Sequence, residues 1–216
     1  MSRSTKEEAQ ETRNRILDAA EDVFNARGVS HTSLAHVATE AKVTRGAIYW
    51  HFKNKGDLFD AMCERVRLPM EAIVHGAAER SAIDPLGQLL AGVVWVMKDV
   101  VHNPRTRKVV DIIFNKCEIP DAQDPILVRQ RECFLDGMGK FTQILRNAIT
   151  KGQLSEQVDV RRGAIFLHAT LSGMLQDWLF APDSFDLAED AEAVLSACLH
   201  ALRDAPSLRI APAAPV

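Results

Sequence analysis

Apolar residues along this chain recur every three or four positions, which is the spacing of amphipathic helices. The β-branched residues do not alternate with polar ones, as they would along half-buried strands. In the first quarter, Ile16, Ala20 and Phe24 predict a helix over about residues 12–26, and Gly28 is placed to end it. The pattern therefore predicts an all-α protein.

Two shorter helices are predicted next. Thr32 or Ser33 can cap the first, and Thr44 can cap the second, which runs to about His51. Only a short break separates these two helices, and a fourth helix begins near Lys55. Three helices with a tight break between the second and the third predict a helix-turn-helix, whose last helix enters the major groove of DNA.

Longer helices are predicted for the rest of the chain. Asp84-Pro85 and Asn103-Pro104 each pair a capping residue with a proline suited to the first helical position. Apolar residues step by four and three through residues 134–148 and again through residues 164–178, with Lys151–Leu154 between them. These two stripes predict a helix pair with an apolar face to bury.

The chain is accordingly divided into three parts. Residues 1–55 are predicted to form the helix-turn-helix domain, and residues 56–204 a larger helical domain for ligand binding and dimerisation. Residues 205–216 are predicted to be a flexible tail, since they are rich in proline and alanine.

Composition places the chain among ordinary soluble globular proteins, with 47% hydrophobic and 25% charged residues out of 216. The four cysteines lie far apart and form no CxxC pair, so we expect free thiols in a reducing compartment. The polar N-terminus lacks a signal-peptide core, and the longest apolar run, Leu89–Met97, falls short of the roughly 20 residues that span a bilayer. We therefore expect a cytoplasmic protein that binds no membrane.

Charge is distributed unevenly along the chain. The formal net charge is −3, yet residues 1–55 carry nine Lys or Arg against seven Asp or Glu. From Ala41 to Gly56 there are four bases and no acid. A locally basic surface on an acidic body suits reversible binding to a polyanion such as double-stranded DNA.

The predicted recognition helix carries side chains suited to reading base pairs. Arg45 can reach the paired acceptors of guanine, Gly46 lets the backbone approach closely, and Ala47 leaves room for a thymine methyl group. The side chains around them carry hydroxyl, aromatic-ring and ammonium groups, which can donate hydrogen bonds to backbone phosphates. The full set of expected DNA-binding residues is Thr32, Ser33, Thr44, Arg45, Gly46, Ala47, Tyr49, Trp50, His51, Lys53 and Lys55.

Residues 12–59 resemble the DNA-binding domain of TetR-family transcriptional repressors, through a run that includes Gly28, Gly46, Tyr49 and His51. The segments "NPRTRKVVDIIFNKCE" and "LSGMLQDWLFAPDSFDL" resemble the AcrR/TtgR-like subgroup, which represses multidrug efflux pump genes. The resemblance implies a homodimeric, all-helical repressor that leaves its operator when a hydrophobic small molecule binds.

The many Val, Leu, Met and Phe of residues 60–204 favour a ligand cavity, although each could belong simply to the core, and the resemblance implies that the helices around residues 109–118 and 171–178 line it. Its expected lining residues are Leu68, His75, Val96, Val110, Ile113, Phe114, Cys117, Phe134, Met138, Phe141, Ser172, Met174, Gln176 and Trp178. Relatives place more polar residues at Val110, Phe114 and Ser172, so we expect more apolar ligands here. The expected dimerisation residues are Phe134, Leu145, His168, Leu171 and Leu175.

Three other functions compete with this interpretation. An enzyme is not expected, because none of the seven histidines forms an HExxH motif, and no phosphate loop or nucleophile elbow is present; no metal or cofactor is expected either. The same fold could respond to an acyl-CoA or another metabolite. Cys117 and Cys133 could instead form a thiol-based redox sensor, although two buried apolar thiols are the simpler reading.

Overall fold

The computed structural model describes residues 2–79, 83–119 and 121–210, with the side chains of residues 2–5, 68–75 and 77 left aside. These residues form nine α-helices and one short 3-10 helix and contain no strand, which confirms the predicted all-α class. The α-helices are α1 (Ser2–Arg27), α2 (Leu34–Glu40), α3 (Arg45–His51), α4 (Lys55–Ala78), α5 (Pro85–His102), α6 (Pro104–Asn115), α7 (Pro125–Thr150), α8 (Val160–Phe180) and α9 (Leu187–Asp204). None of these helices is both long and apolar enough to cross a membrane.

The chain folds into two compact units, which are described separately. Unit 1 comprises Met1–Leu68 and Asn103–Arg131, and unit 2 comprises Pro69–His102 and Glu132–Val216. By packing, α6 therefore belongs with the N-terminal helices, although it lies beyond the boundary predicted after residue 55. The functional division of the chain at that boundary stays a prediction.

Helix α1 begins at Ser2, well before the predicted start near residue 12. Its first turns, residues 6–11, consist of Lys, Glu, Ala and Gln, which favour helix strongly but carry no apolar stripe. The apolar pattern could therefore reveal only the part of α1 that packs on its neighbours. At the other end, Gly28 adopts φ 77°, the left-handed conformation that ends helices, and this confirms the predicted stop.

The core of unit 1 is built around α1. The rings of Phe24 on α1 and Phe59 on α4 meet edge to face, with centroids 5.9 Å apart. Ile48 and Phe52, four residues apart on α3, are also fully buried. Each such side chain contributes roughly 1.5–3 kcal/mol by leaving water, so α3 is held firmly from its inner face.

The helix-turn-helix is shaped by two caps and one unusual residue. Ser33 caps α2, forming a reciprocal capping box with His36, and Thr44 caps α3 by accepting a hydrogen bond from the Ala47 amide at 3.1 Å. Between the helices Lys42 adopts φ 55°, which lets the chain reverse in few residues. The predicted cap at Thr44 and the helix end at His51 are confirmed.

In unit 2, α5 and α8 both pack on α9. Leu86, Leu89 and Met97 of α5 are buried, as are Leu195 and Leu202 of α9. Asp84 begins α5 by accepting a hydrogen bond from the Gly87 amide at 2.8 Å, as its place before a proline predicts. The equivalent prediction for Asn103, in unit 1, is also confirmed, because its side chain accepts from Arg105 and Thr106 amides at the start of α6.

The predicted flexible tail is ordered over its first residues. Pro206–Leu208 form a single 3-10 turn, and Arg209 pairs with Val158 in an isolated antiparallel bridge. The Ile210 amide donates to the carbonyl of Gln157 at 2.8 Å. These long-range backbone bonds could not be read from the proline-rich composition. The remainder of the predicted tail, residues 211–216, lies outside the described residues.

Candidate nucleic-acid interface

Helix α3 separates its residues into a buried face and an exposed aromatic face. Ile48 and Phe52 are 0% and 1% exposed, whereas Tyr49 and Trp50 are 55% and 72% exposed. Large aromatic side chains are seldom left this open unless a partner covers them. The inner pair therefore fixes the helix on unit 1 while the outer pair remains available for a contact.

Cations surround this exposed face. Lys42, Arg45 and Lys53 are all exposed, and within the described part of the chain none of them forms an ion pair with a carboxylate. Their charges are therefore not neutralised locally. Such a surface attracts the phosphates of a nucleic acid.

Gly46 is not required by the packing of the protein itself. A Cβ atom at this position would meet only the Thr44 hydroxyl oxygen, at 3.9 Å, which is ordinary contact. The residue has neither a left-handed backbone nor a crowded neighbour to explain it. Close approach of DNA to Gly46 and Ala47 stays a prediction, and it is consistent with this open space.

His51 lies at the end of α3 beside other rings. Its ring centroid is 4.5 Å from that of Trp50, at a nearly perpendicular angle. Burial lowers the pKa of His51, and the nearby guanidinium of Arg13 lowers it further. Both effects favour the neutral imidazole in the protein without DNA.

Thr32 and Lys55 both form internal hydrogen bonds, and their contacts with DNA stay predictions. Thr32 is 4% exposed, and its hydroxyl donates to the Gly28 carbonyl at 2.8 Å, so this hydroxyl is used within the protein. The Lys55 ammonium donates to the carbonyls of Val29 at 2.8 Å and Ser30 at 3.4 Å. At most one of its three protons is left for a phosphate. The sequence could not show this, since the partners lie 26 and 25 residues away.

Sequence models of two known protein families match this chain. One, described as bacterial regulatory proteins of the tetR family, matches residues 16–62, and the other, the C-terminal region of MAATS-type transcriptional repressors, matches residues 84–203. The HTH-type transcriptional regulator TtgR of Pseudomonas putida is 39% identical over 209 residues, 97% of this chain and 100% of that protein. The chain belongs to the TetR family of bacterial transcriptional regulators.

Two solved structures of TetR-type repressors resemble the chain over most of its length. NalD, the secondary repressor of the MexAB-OprM multidrug efflux pump in Pseudomonas aeruginosa, gives a TM-score of 0.79 at 33% identity, covering 90% of this chain and 96% of that one. SmeT in its triclosan complex gives 0.82 at 32% identity, covering 94% and 96%. SmeT is the repressor of the Stenotrophomonas maltophilia multidrug efflux pump SmeDEF. The resemblance read from the sequence is thereby confirmed.

The predicted ligand-binding residues of this TetR-family chain are divided between the two units. Val110, Ile113, Phe114 and Cys117 lie on or just after α6 in unit 1. Val110 is buried at 7% exposure, whereas Phe114 is 36% exposed. Burial raises the pKa of the Cys117 thiol. The side chains of Leu68 and His75 lie outside the described residues.

In unit 2, the structure brings several predicted residues into one cluster. The His168 ring lies between those of Phe134 and Phe141, with centroid distances of 4.9 and 6.3 Å and nearly perpendicular planes. The Ser172 hydroxyl is 3.4 Å from His168 Nδ1. Burial lowers the pKa of His168, so the imidazole is neutral at physiological pH. The cluster offers an apolar wall with one polar pair.

The other predicted ligand residues of unit 2 are less uniform. Trp178 is buried at 5% exposure, Gln176 is exposed, and Val96, Met138 and Met174 are half-buried. An open groove of about 410 Å³ lies between α5 and α9, with Leu90, Val94 and Trp95 in its wall. None of the predicted ligand residues lines this groove, so it does not correspond to the predicted pocket.

The predicted dimerisation residues are not all on the surface. Leu145 is 0% exposed and Leu171 is 7% exposed, so both belong to the core of their own chain. The spacing of apolar residues by three and four along α7 does not distinguish the inner from the outer side of a helix pair, so the sequence could not assign Leu145 to either side. Among the described residues, the large exposed apolar side chains on α7 and α8 are Phe134, Leu135, Ile165 and Phe180, with exposures of 47%, 60%, 44% and 87%.

A cluster of ion pairs in unit 1 was not predicted from the sequence. Glu21 on α1 is only 3% exposed and accepts hydrogen bonds from Arg65 of α4 at 2.8 Å and from Arg105 of α6 at 3.2 Å. Asp18 accepts from both arginines as well, at 2.8 and 2.6 Å. Burial raises the pKa of Glu21 although the two arginines oppose it. A lone buried acid on the apolar stripe of α1 was the only signal in the sequence.

Proposed function

We propose that this protein is a homodimeric, cytoplasmic repressor of a multidrug efflux operon, released from its operator by hydrophobic small molecules. The observation that carries the DNA-binding part is the exposed face of α3, where Tyr49, Trp50 and Arg45 are open and no carboxylate neutralises the flanking cations among the described residues. The similarity to NalD and SmeT, both repressors of multidrug efflux pumps, supports the choice of target genes.

Binding begins with the recognition helix. Helix α3 has seven residues and is about 10 Å long, comparable with the roughly 12 Å width of the major groove. Arg45 stands at its first position and contacts a guanine, while Thr44, Tyr49 and Lys53 hold the flanking phosphates. Two copies of the helix in a dimer read half-sites about 34–36 Å apart, or a multiple of that distance.

Release requires a route from the larger domain to the recognition helix. Helix α6 follows α5 directly in the chain, and its Arg105 and Lys108 form ion pairs with α1. A ligand that shifts α6 thereby alters the support of the helix-turn-helix. A coupling free energy of about 1–3 kcal/mol is enough for severalfold to hundredfold release.

The chemistry of the inducer is inferred from the aromatic cluster of unit 2. There the His168 ring stands beside those of Phe134 and Phe141, and His168 forms a polar pair with Ser172. Such walls favour apolar aromatic compounds with few hydrogen-bonding groups. SmeT has been solved with triclosan, a compound of this type, which makes triclosan a suitable first probe.

Arg45→Ala tests the DNA-binding part. An operator duplex is selected from a random-sequence library with the wild-type protein, and binding is measured against a scrambled duplex. We expect the variant to lose about 1–3 kcal/mol of discrimination while its thermal unfolding stays unchanged. Full discrimination by Arg45→Ala would show that α3 does not read the operator through this residue.

Three compounds, added separately to the complex of protein and operator, test which kind of signal releases the DNA. Triclosan should release the DNA at low concentration, whereas a long-chain acyl-CoA and hydrogen peroxide should not. Release by the acyl-CoA alone would favour a metabolite regulator. Release by peroxide would favour a thiol sensor, which the raised pKa of Cys117 opposes because it lowers the fraction of reactive thiolate.

A further inference from the structure

Arg13 of α1 lies beside the C-terminal end of α3. No function was predicted for it from the sequence. Its guanidinium carbon is 5.1 Å from the centroid of the Phe52 ring. Phe52 is the residue that ends α3, and it is 1% exposed. A planar guanidinium against an aromatic face is attracted by the ring and loses little freedom, so Arg13 is held in a defined place.

The charge of Arg13 is not neutralised. Within the described residues, no carboxylate forms an ion pair with it. The acids Asp18, Glu21 and Asp22 of the same helix instead pair with cations of α4 and α6. Since each residue turns a helix by about 100°, Arg13 and Asp22 are on opposite sides of α1. Asp18 lies about 140° from Arg13 by the same rotation, so both aspartates point away from the face that carries Arg13, while Glu21, about 80° away, is held by Arg65 and Arg105.

The surroundings of Arg13 belong to the DNA-binding face. Its charge acts on His51, whose ring also contacts Trp50. Lys53 directly follows Phe52 and is exposed; its ammonium forms no ion pair within the described residues, although its backbone amide donates to the Asp57 carboxylate at 3.0 Å. Because α3 is about as long as the major groove is wide, groups at its last turn lie close to one of the two phosphate backbones.

We propose that Arg13 is a further operator contact, in which its guanidinium, held against Phe52, binds a backbone phosphate beside the groove that α3 occupies. The contact rests on the proposed binding of operator DNA and extends it from the helix-turn-helix to α1. It carries no base specificity, so it acts on all duplex sequences alike. It also fixes the angle at which α3 enters the groove, because Arg13 and Phe52 belong to different helices.

The salt dependence of binding distinguishes this role from a purely structural one. A phosphate contact releases counterions, so its loss should reduce the slope of log K against log salt by about 0.9. At 0.1 M salt this corresponds to about eightfold weaker binding, and the deficit should shrink as salt rises. Loss of the stacking on Phe52 alone would lower stability and leave the slope unchanged.

Three variants on the full-length protein test the proposal with a selected operator duplex and a scrambled duplex. Arg13→Gln should reduce the slope of log K against log salt by about 0.9 on both duplexes, whereas Arg13→Lys should keep the wild-type slope. Arg15→Gln is the matched control, since Arg15 is exposed on the same helix two residues away and should change neither quantity. An unchanged slope in Arg13→Gln, or an equal loss in Arg15→Gln, overturns the assignment. A wild-type protein that selects no operator would instead reject the proposed function.

Discussion

Arg105 on α6 donates from Nε to Glu21 Oε2 on α1 at 3.2 Å, and its terminal Nη2 donates to Asp18 at 2.6 Å. Glu21 is buried, whereas the Arg105 side chain is 46% exposed. A buried carboxylate that loses a cation partner is left poorly compensated, so this pair couples the positions of the two helices.

A double-mutant cycle measures this coupling. Arg105→Ala, Glu21→Gln and the double variant should show an interaction free energy of about 0.5–3 kcal/mol in urea unfolding, near the lower end because Arg105 is half-exposed. Arg105→Ala should also need more triclosan for operator release, while its affinity for the operator without ligand changes little. If the effects of the two single substitutions are additive and triclosan releases the operator normally, α6 does not transmit the ligand signal to the DNA-binding helices.

Lys53 and Lys55 should respond differently to the same substitution. Lys53 is exposed and its ammonium forms no ion pair in the described part of the chain, so Lys53→Met should flatten the salt dependence of DNA binding by about 0.9. Lys55 holds the loop after α1 through two carbonyls, so Lys55→Met should lower the free energy of unfolding by about 1–3 kcal/mol.

Thermal unfolding and salt titrations on both variants separate these outcomes. If Lys55→Met unfolds like the wild type and flattens the salt slope, its ammonium leaves the carbonyls for a phosphate when DNA binds. Each lysine serves as the control for the other, because they lie two residues apart and lose the same charge.

Local signals were enough to predict several capped helix ends, but neither the start of α1 nor the contacts between helices. Thr44, Asp84 and Asn103 each cap a helix through an amide two or three residues away, so their role is visible in any short window of sequence. The ion pairs of Arg105 join residues 84 and 87 positions apart, and no pattern along one helix announces them.

The candidate site shows the same division. The exposure of Tyr49 and Trp50 and the burial of Ile48 follow from helical spacing. The internal bonds of Thr32 and Lys55 depend on how the loop after α1 folds back, and the position of Arg13 depends on how α1 crosses α3. Those placements are set by packing of the whole unit.

Acid should destabilise the protein before its carboxylates titrate. The pKa values of His51 and His168 are lowered from 6.5, chiefly by burial. Near pH 6.5 the unfolded chain therefore binds more protons than the folded chain does. The free energy of unfolding is consequently highest above this pH and falls from about pH 7 toward pH 5. Glu21 acts in the opposite direction, because burial raises its pKa above 4.5 and its ionisation as pH rises weakens the fold.

Urea unfolding at several pH values tests this behaviour. His168→Gln and His51→Gln should each reduce the loss of stability between about pH 7 and pH 5, since glutamine cannot take up the proton. His200→Gln is a suitable control, because that histidine is exposed near the end of α9. A wild-type stability that rises as the pH falls over this range would contradict the assignment.

Gly163 permits the close packing of α8 on its neighbours in unit 2. A Cβ atom there would lie 2.8 Å from a methyl carbon of Leu145 and 2.8 Å from one of Leu202. Both leucines are 0% exposed, so neither has free space into which to move. Gly163→Ala should therefore lower the free energy of unfolding by about 1–2 kcal/mol, because the overpacking outweighs the better helix propensity of alanine.

Gly139→Ala is the matched control for this substitution. Gly139 lies inside α7, is exposed, and would place no described atom within 4 Å of an added Cβ. Only the helix propensity then changes, and the variant should gain up to about 1 kcal/mol. If both variants gain stability, the leucines around Gly163 adjust more freely than their burial indicates, and the contact between α8, Leu145 and Leu202 is not a tight one.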